Sequence, residues 1–293
     1  MSWKPFVVGV DASPEAAAAA AFAVQAGRRA ATALYLVHAV PAAERGPYPY
    51  TRRDEELRLR IVAALGNRVP AVLDALSVHG GQPAAVLNGA VAARGAEVIV
   101  LGGKHHSTLG RWIGGSTSLS VARSARVPLL VAVGEPAIRR VLVAVDQSEA
   151  APAVLSAAAR YASLFGAELL ALSVIERLPV VLDMPQPDSP DHYRLLEERV
   201  VSEFWPLIRA PGVQTVVRHG TAPETIVREA AGWRADLVVV GSHGKGSVER
   251  LLLGSVTEGL INHLPTSLLV VPPRAAVVGH ETREVGAVNL EET

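Results

Sequence analysis

Short apolar runs rich in β-branched residues alternate along this chain with longer, helix-forming stretches. The first apolar run is Phe6–Val10. The next residues, Ser13-Pro14-Glu15, supply a helix N-cap, a proline at the first helical position and an acid in the first turn, ahead of the alanine-rich stretch 16–31. Strands that are apolar throughout and separated by helices are typical of a parallel sheet covered on both faces. The pattern therefore predicts a doubly wound, Rossmann-like α/β fold.

The same succession of elements occurs twice, and each copy is expected to form a five-stranded parallel sheet with flanking helices. In the first copy we predict strands at 6–10, 34–40, near 76–78, 97–101 and 129–133, with helices at 16–31, around 55–76, after Pro83 and from Ser116. In the second copy the clearest strands are 213–217, 236–240 and 268–271, with helices after Pro223 and from Ser255. The apolar last strand of each copy is a candidate for pairing.

Matching landmarks show that the chain is an internal repeat. Asp11 corresponds to Asp146 at an offset of 135, and Ser116 corresponds to Ser255 at an offset of 139. Two copies of this size indicate tandem domains, because each copy is large enough for its own core. We place domain 1 at residues 1–135, domain 2 at 136–274 and a flexible acidic tail at 275–293.

Composition narrows the class of partner. Of 293 residues, 49% are hydrophobic and 19% charged, as in a globular protein. Lys+Arg and Asp+Glu both number 28, so we expect no nucleic-acid and no membrane partner. Cysteine is absent, no apolar run reaches the roughly 20 residues of a membrane span, and no secretory pattern is present. These features favour a cytoplasmic location.

Spaced glycines follow a strand in both copies. In the second copy Gly241-Ser-His-Gly244 is followed by nine residues and Gly254-Ser255, and in the first copy Gly102-Gly103-Lys104-His105 precedes nine residues and Gly115-Ser116. A helix N-terminus attracts phosphate, and glycines at positive φ can expose successive N–H groups as an anion nest. The spacing therefore predicts a phosphate-binding cradle at the carboxyl ends of the strands.

In the second copy, Ser255-Val-Thr-Glu258 reads as a capping box that starts the helix beside the cradle. Ser255 and Thr257 would add hydroxyl groups. Asp146, after the first strand of this copy, is placed to bond a ribose or to help hold a divalent cation.

Other phosphate-binding and catalytic motifs are missing. A P-loop needs Ser or Thr after its lysine, but Lys245 is followed by Gly246, and no Gly-x-Gly-x-x-Gly opens a helix after a first strand. The Gly-x-Ser-x-Gly elbow of hydrolases is also absent. We expect His38 and His219 to satisfy hydrogen bonds at strand ends rather than to bind metal. No catalytic residue is predicted.

The combination of Gly-x2-Gly-x9-Gly-Ser/Thr with the opening Val-x-Val-Asp-x-Ser resembles the tandem type of the universal stress protein family over nearly all of the chain except the tail. The resemblance implies an adenine-nucleotide-binding α/β domain that takes ATP with Mg²⁺ and pairs through its last strand. In the second copy it implies nucleotide contacts at Ala144, Asp146, Val174, Gly241, Ser242, His243, Gly244, Lys245, Gly246, Ser247, Gly254, Ser255, Val256 and Thr257, with Asp146 also near the metal. In the first copy the matching positions are Gly9, Asp11, Ala39, Gly102, Gly115, Ser116 and Thr117.

The first copy departs from the pattern at His105, which replaces the second glycine. A non-glycine residue forced to positive φ costs on the order of 1 kcal/mol, and its imidazole would stand where phosphate approaches. Gly103 could let the loop take another path, or the imidazole could contact phosphate when protonated. Whether the first copy binds nucleotide is left open, and the intact second copy is the main predicted site.

We therefore expect an ATP-binding, non-catalytic regulator of stress response or growth, with an adenine nucleotide as its ligand. We also expect an unidentified regulatory protein as partner and self-association through the last strands. Two alternatives stay open. The chain could be a slow ATPase or phosphotransferase that uses Asp146 and Mg²⁺, or a dimerising scaffold with vestigial sites or a preference for cyclic AMP.

Overall fold

The structure, a computed structural model, describes residues 2–41, 52–66, 69, 76–103, 116–134, 137–176, 190–208, 213–244, 253–263 and 266–273. Ten strands lie in these ranges: β1 (Phe6–Gly9), β2 (Leu34–Val40), β3 (Leu76–Gly80), β4 (Val98–Gly103), β5 (Leu129–Val133), β6 (Arg140–Ala144), β7 (Glu168–Ile175), β8 (Gln214–His219), β9 (Leu237–Gly241) and β10 (Ser267–Val271). The predicted strands are all present, including the weak third strand of the first copy.

The helices of the described ranges are α1 (Pro14–Ala30), α2 (Arg52–Leu65), α3 (Pro83–Arg94), α4 (Ser116–Ser124), α5 (Ala151–Phe165), α6 (Pro190–Arg199), α7 (Trp205–Ile208), α8 (Ala222–Trp233) and α9 (Ser255–Asn262). A π-helical turn, Val200–Phe204, joins α6 to α7. Among these helices, none is long and apolar enough to cross a bilayer.

Local sequence explains where the first two helices begin and end. Ser13 is the N-cap of α1, and its hydroxyl accepts a 3.2 Å hydrogen bond from the Ala16 amide, as predicted. The prediction for α2 was wrong at its C-terminal end, because the helix stops at Leu65 and not at Leu76. Gly66 follows at φ 54°, a left-handed conformation that ends a helix, and Leu76 already belongs to β3.

All ten strands form one sheet in the order β3-β2-β1-β4-β5-β10-β9-β6-β7-β8. Neighbours are parallel within each copy, whereas β5 and β10 pair antiparallel with Leu130 opposite Leu269. The doubly wound fold is therefore confirmed, and the last strands pair with each other inside one chain. Both are interior strands of the sheet, so each already has a neighbour on both sides within the chain.

The two copies also share the helical layers on both faces of the sheet. One face is covered by α1, α2, α5 and the α6–α7 segment, and the other by α3, α4, α8 and α9. Across the junction Phe22 of α1 lies 5.7 Å from Phe165 of α5, and Arg123 of α4 pairs with Glu258 of α9 at 3.1 Å. The junction therefore consists of a strand pair with helix contacts on either side.

A polar cluster links the N-terminal segment to the second copy. The Glu97 carboxylate accepts from the Lys4 amide at 2.8 Å and from both guanidinium nitrogens of Arg160 at 2.8 and 2.9 Å. The Arg160 guanidinium lies 3.6 Å from the centre of the Trp3 ring, and Trp3 packs edge-on against Tyr161. Burial, with a smaller contribution from the Glu97 charge, raises the pKa of Tyr161.

Candidate functional site

The carboxyl ends of β6, β7 and β9 lie side by side in the second copy. Ala144 is the last residue of β6, and the next amide, Val145, bonds to the Leu172 carbonyl of β7 at 2.9 Å. Val174 lies two residues farther along β7, and Gly241 ends β9. The strand order places β6 between β7 and β9. The sheet thus brings the predicted adenine-side and phosphate-side residues to one edge.

The glycine loop packs directly against the Asp146 carboxylate. A Cβ placed on Gly244 would lie 2.8 Å from Asp146 Oδ2, closer than side chains tolerate. Asp146 Oδ1 accepts a 3.1 Å hydrogen bond from the Ser148 amide. One carboxylate therefore spans the space between the turn after β6 and the loop after β9, as the sequence pattern implied.

Close packing, and not left-handed backbone, explains the glycines in the described part of the loop. None of Gly241, Gly244 and Gly254 has a positive φ, and the predicted anion nest, which also involves residues outside the described ranges, stays a prediction. A Cβ on Gly241 would meet the His243 carbonyl oxygen at 3.1 Å, and one on Gly254 would meet the Ser242 carbonyl oxygen at 3.3 Å. These glycines are required by close backbone packing.

The helix beside the loop starts at Ser255, as predicted, but the capping box does not form. Gly254 occupies the N-cap with extended backbone and provides no side-chain cap, and the carboxylate of Glu258 pairs instead with Arg123. The first amides of α9 therefore have no helical acceptor, and within the described residues the N-cap provides no side chain to cap them. Thr257 does not offer its hydroxyl proton to a ligand, because Oγ1 donates to the Gly241 carbonyl at 2.7 Å.

Two buried polar atoms without a hydrogen-bond partner lie at this edge. Among the described residues, buried unpartnered side-chain atoms occur at Ser148 Oγ, His243 Nε2 and, away from this edge, Trp205 Nε1. The other ring nitrogen of His243 lies 2.8 Å from the hydroxyl of the buried Ser242. Because buried polar groups in native proteins nearly always have partners, these two atoms mark a place for a ligand or bound water.

Sequence reasoning assigned no role to Ser148. The available signal was the Asp-x-Ser pattern, which occurs after the first strand of both copies.

The first copy has the same strand ends but a different arrangement around them. A Cβ on Gly102 would lie 2.5 Å from the backbone of Glu15, so α1 begins directly against the end of β4. Asp11 Oδ1 accepts from both the amide and the hydroxyl of Ser13. Gly9 packs on the Leu101 side chain. Three of the predicted contact residues of this copy, Gly9, Asp11 and Gly102, therefore make contacts within the protein.

Several predicted positions lie outside the described residues: Lys245, Gly246, Ser247, His105, Gly115, the side chain of Ser116 and the tail 275–293. Ala39 lies in β2 and Thr117 in α4, whereas Val256 follows Ser255 in α9. A cavity of about 670 Å³ also opens between α1 and the end of α2, lined by Ala12, Ser13, Pro14, Ala17, Ala64, Leu65 and Gly66. None of the predicted nucleotide positions lines it.

The two strand-end histidines make hydrogen bonds within the protein. His38 Nδ1 lies 2.6 Å from the Val10 carbonyl oxygen, and His219 Nε2 lies 2.9 Å from a carboxylate oxygen of Glu197, which confirms the predicted hydrogen-bonding role. Within the ranges that the structure describes, no group of three or more His, Asp and Glu residues could hold a metal ion. Asp146 is therefore a single carboxylate that would need ligand oxygens to complete a metal site.

Comparison with known proteins gives consistent matches over both copies. The profile of the Universal stress protein family matches residues 2–132 and again 137–272. Universal stress protein Rv2005c of Mycobacterium tuberculosis is 30% identical over 291 residues, covering 90% of this chain and 95% of that protein. A universal stress protein of Mycolicibacterium smegmatis is 32% identical over 193 residues, covering 62% of this chain and 64% of its own length.

Among solved structures, a universal stress protein from Archaeoglobus fulgidus superposes with a TM-score of 0.65 at 20% identity, covering 92% of this chain and 98% of that one. At this identity the likeness concerns the fold, and it extends to the two-copy arrangement of the chain.

Proposed function

This chain belongs to the universal stress protein family, and from that premise we propose that its second copy binds an adenine nucleotide, ATP with Mg²⁺, and that the protein is a non-catalytic regulator of stress response or growth in the cytoplasm. The observation that carries the proposal is the contact between Gly244 and Asp146, flanked by two buried polar atoms without partners, Ser148 Oγ and His243 Nε2. Such an edge has hydrogen-bonding capacity that the protein itself does not use.

The residues of the site fit a phosphate-bearing ligand. The first amides of α9 are uncapped at Gly254, and an uncapped helix N-terminus favours anionic oxygens through its free N–H groups and its dipole. The loop comes close to that helix, since the Gly254 amide donates to the Ser242 carbonyl at 2.9 Å. Hydrogen-bond donors and an uncapped helix end thus support the phosphate side of the proposal.

The same edge fits a magnesium ion that arrives with the nucleotide. Mg²⁺ is usually bound by one or two carboxylates together with phosphate oxygens and waters, and Asp146 provides one carboxylate. The ion would neutralise phosphate charge. In this proposal the backbone of Val174, near the end of β7, would meet the base.

Within the part of the predicted site that the structure describes, the Asp146 carboxylate and one ring nitrogen of His243 already have partners in the protein, and a regulatory role is consistent with these contacts. The His243 imidazole is held by the Ser242 hydroxyl, and the Asp146 carboxylate is held by the Ser148 amide. We propose that nucleotide occupancy changes the loop surface that a partner protein contacts.

Calorimetric titration with Mg-ATP tests the proposal. Gly244→Ala would push the Asp146 side chain away from the loop, because the new Cβ would lie 2.8 Å from its Oδ2. Since that oxygen ends a side chain and is not backbone, the fold should survive while ATP affinity falls at least tenfold. Gly232→Ala is the matched control: Gly232 lies in α8, no atom lies within 4 Å of the added Cβ, and affinity should not change.

The proposal expects one ATP per chain. Two equivalent sites would show that the first copy binds despite His105. Steady ADP release over many turnovers would favour the ATPase alternative, and displacement of ATP by equimolar cyclic AMP would favour a cyclic-nucleotide site. No binding of either nucleotide by the wild-type chain would refute the proposal and favour the scaffold.

A further inference from the structure

Equivalent serines of the two copies have different hydrogen-bond partners. Ser13 and Ser148 both lie two residues after the aspartate that follows the first strand, and both donate an amide to that aspartate, at 2.9 and 3.1 Å. Their hydroxyl groups differ. The hydroxyl of Ser13 both donates and accepts within the protein, whereas the hydroxyl of Ser148 is buried without a partner.

In the first copy the hydroxyl is a helix cap. Ser13 Oγ accepts from the Ala16 amide at 3.2 Å and donates to Asp11 Oδ1. Pro14, directly after the serine, takes the first helical position and sets the start of α1 there. The single proton of this hydroxyl is therefore already donated within the protein and is not available to a ligand oxygen.

In the second copy the equivalent amide has a different acceptor. Ala151, which corresponds to Ala16, donates to the carbonyl oxygen of Ser148 at 3.1 Å and not to its hydroxyl. The proline here is Pro152, four residues after the serine, and α5 starts at Ala151 behind an N-cap, Ala150, that makes no side-chain cap. The later start of the helix leaves Ser148 Oγ buried and unpaired.

Building on the nucleotide site proposed above, we propose that Ser148 is a ligand-binding residue whose hydroxyl bonds an oxygen of the ribose–phosphate part of the nucleotide, whereas Ser13 is a structural cap. A hydroxyl can donate where the neighbouring Asp146 carboxylate can only accept, so the pair matches a ligand that presents both acceptors and donors. The start of the helix in each copy thereby decides which copy offers this contact.

Two alanine variants separate the roles. Ser148→Ala removes a ligand hydrogen bond, so the dissociation constant for Mg-ATP should rise about tenfold, the order of magnitude expected for the loss of one hydrogen bond. Its melting temperature without nucleotide should stay unchanged or rise, because no internal bond is lost. Ser13→Ala removes a cap, so its melting temperature should fall by about 2–4 °C with ATP affinity unchanged.

A titration with adenosine shows which oxygen of the ligand is bonded. If Ser148→Ala weakens the binding of adenosine as much as the binding of ATP, the hydroxyl bonds the ribose. If it weakens only the binding of ATP, the hydroxyl bonds phosphate, and either result supports the inference. The inference is overturned if wild type binds ATP and Ser148→Ala binds equally well, or if Ser148→Ala lowers the melting temperature as much as Ser13→Ala does. Failure of the wild-type chain to bind ATP would instead refute the proposed function, and the inference with it.

Discussion

Gly102 and Gly241 occupy the same position in the two copies, yet an added methyl group should have different consequences. A Cβ on Gly102 would lie 2.5 Å from the carbonyl carbon and oxygen of Glu15 and 2.8 Å from the Ala16 amide. All three are backbone atoms of the first turn of α1. A Cβ on Gly241 would meet one carbonyl oxygen at 3.1 Å and a methyl group of Val154 at 3.3 Å.

The distances set the size of the expected effects. Ordinary contact begins near 3.4 Å, so Gly102→Ala would have to move the start of α1 by about 1 Å. That helix is capped by Ser13 and buries most of its alanines against the sheet, so the shift would disturb many contacts. We expect a loss of about 3 kcal/mol in the free energy of unfolding, the upper part of the range for overpacked cores. Gly241→Ala needs shifts of a few tenths of an ångström and should lose about 1 kcal/mol.

Equilibrium unfolding in urea, followed by circular dichroism, measures both losses. Gly89→Ala is the control, because Gly89 lies in α3, no atom lies within 4 Å of the added Cβ, and alanine is the better helix former. If Gly102→Ala were as stable as the Gly89→Ala control, or no less stable than Gly241→Ala, the conclusion that α1 closes on β4 in the first copy would be refuted.

Two further predictions concern the cluster at the junction. Arg160→Ala removes the bidentate hydrogen bond to Glu97 and the stacking on Trp3, so it should lower the free energy of unfolding by about 1–2 kcal/mol, measured in urea. Arg29 makes only a 3.5 Å hydrogen bond to the Phe165 carbonyl, so Arg29→Ala should change that free energy by less than about 0.5 kcal/mol. Because burial raises the pKa of Tyr161 in the fold, its neutral form stabilises the protein fully below the ordinary tyrosine pKa of about 10, and this contribution is lost as the pH rises above it. The urea midpoint should therefore fall more between pH 9 and pH 11 in wild type than in Tyr161→Phe, and equal slopes would contradict the assignment.

The hydrophobic pattern was enough to predict the α/β fold of each copy, because each buried strand is a continuous apolar run between helical stretches, and the matching landmarks predicted the tandem arrangement. The end of α2 was missed because the apolar pattern continues past Gly66, whose left-handed φ stops the helix. The sequence indicated that the apolar last strands would pair, but it did not show whether β5 would pair with β10 of the same chain or with a strand of a second chain.

At the site, residue types were predictable but their bonding was not. The glycine spacing identified the loop, yet it could not distinguish left-handed backbone from close packing at Gly244. It also could not show that the amide of Ala151 would bond to the carbonyl of Ser148 and leave the hydroxyl unpaired. The difference depends on where the helix begins, which is two residues later in the second copy than in the first.

The antiparallel pairing of β5 with β10 relates the two similar halves by an approximate twofold axis. The arrangement resembles a dimer, but it lies within a single polypeptide. In a dimer of identical chains, every substitution appears twice and must suit both sides. Here each position occurs once, so Arg123 can pair with Glu258 without a mirrored counterpart, and His105 can replace a glycine in one half alone. Association of the halves is also independent of protein concentration, since no second molecule is needed to complete the sheet. Because the two halves are covalently linked, the sheet stays complete even when only one half keeps a ligand site.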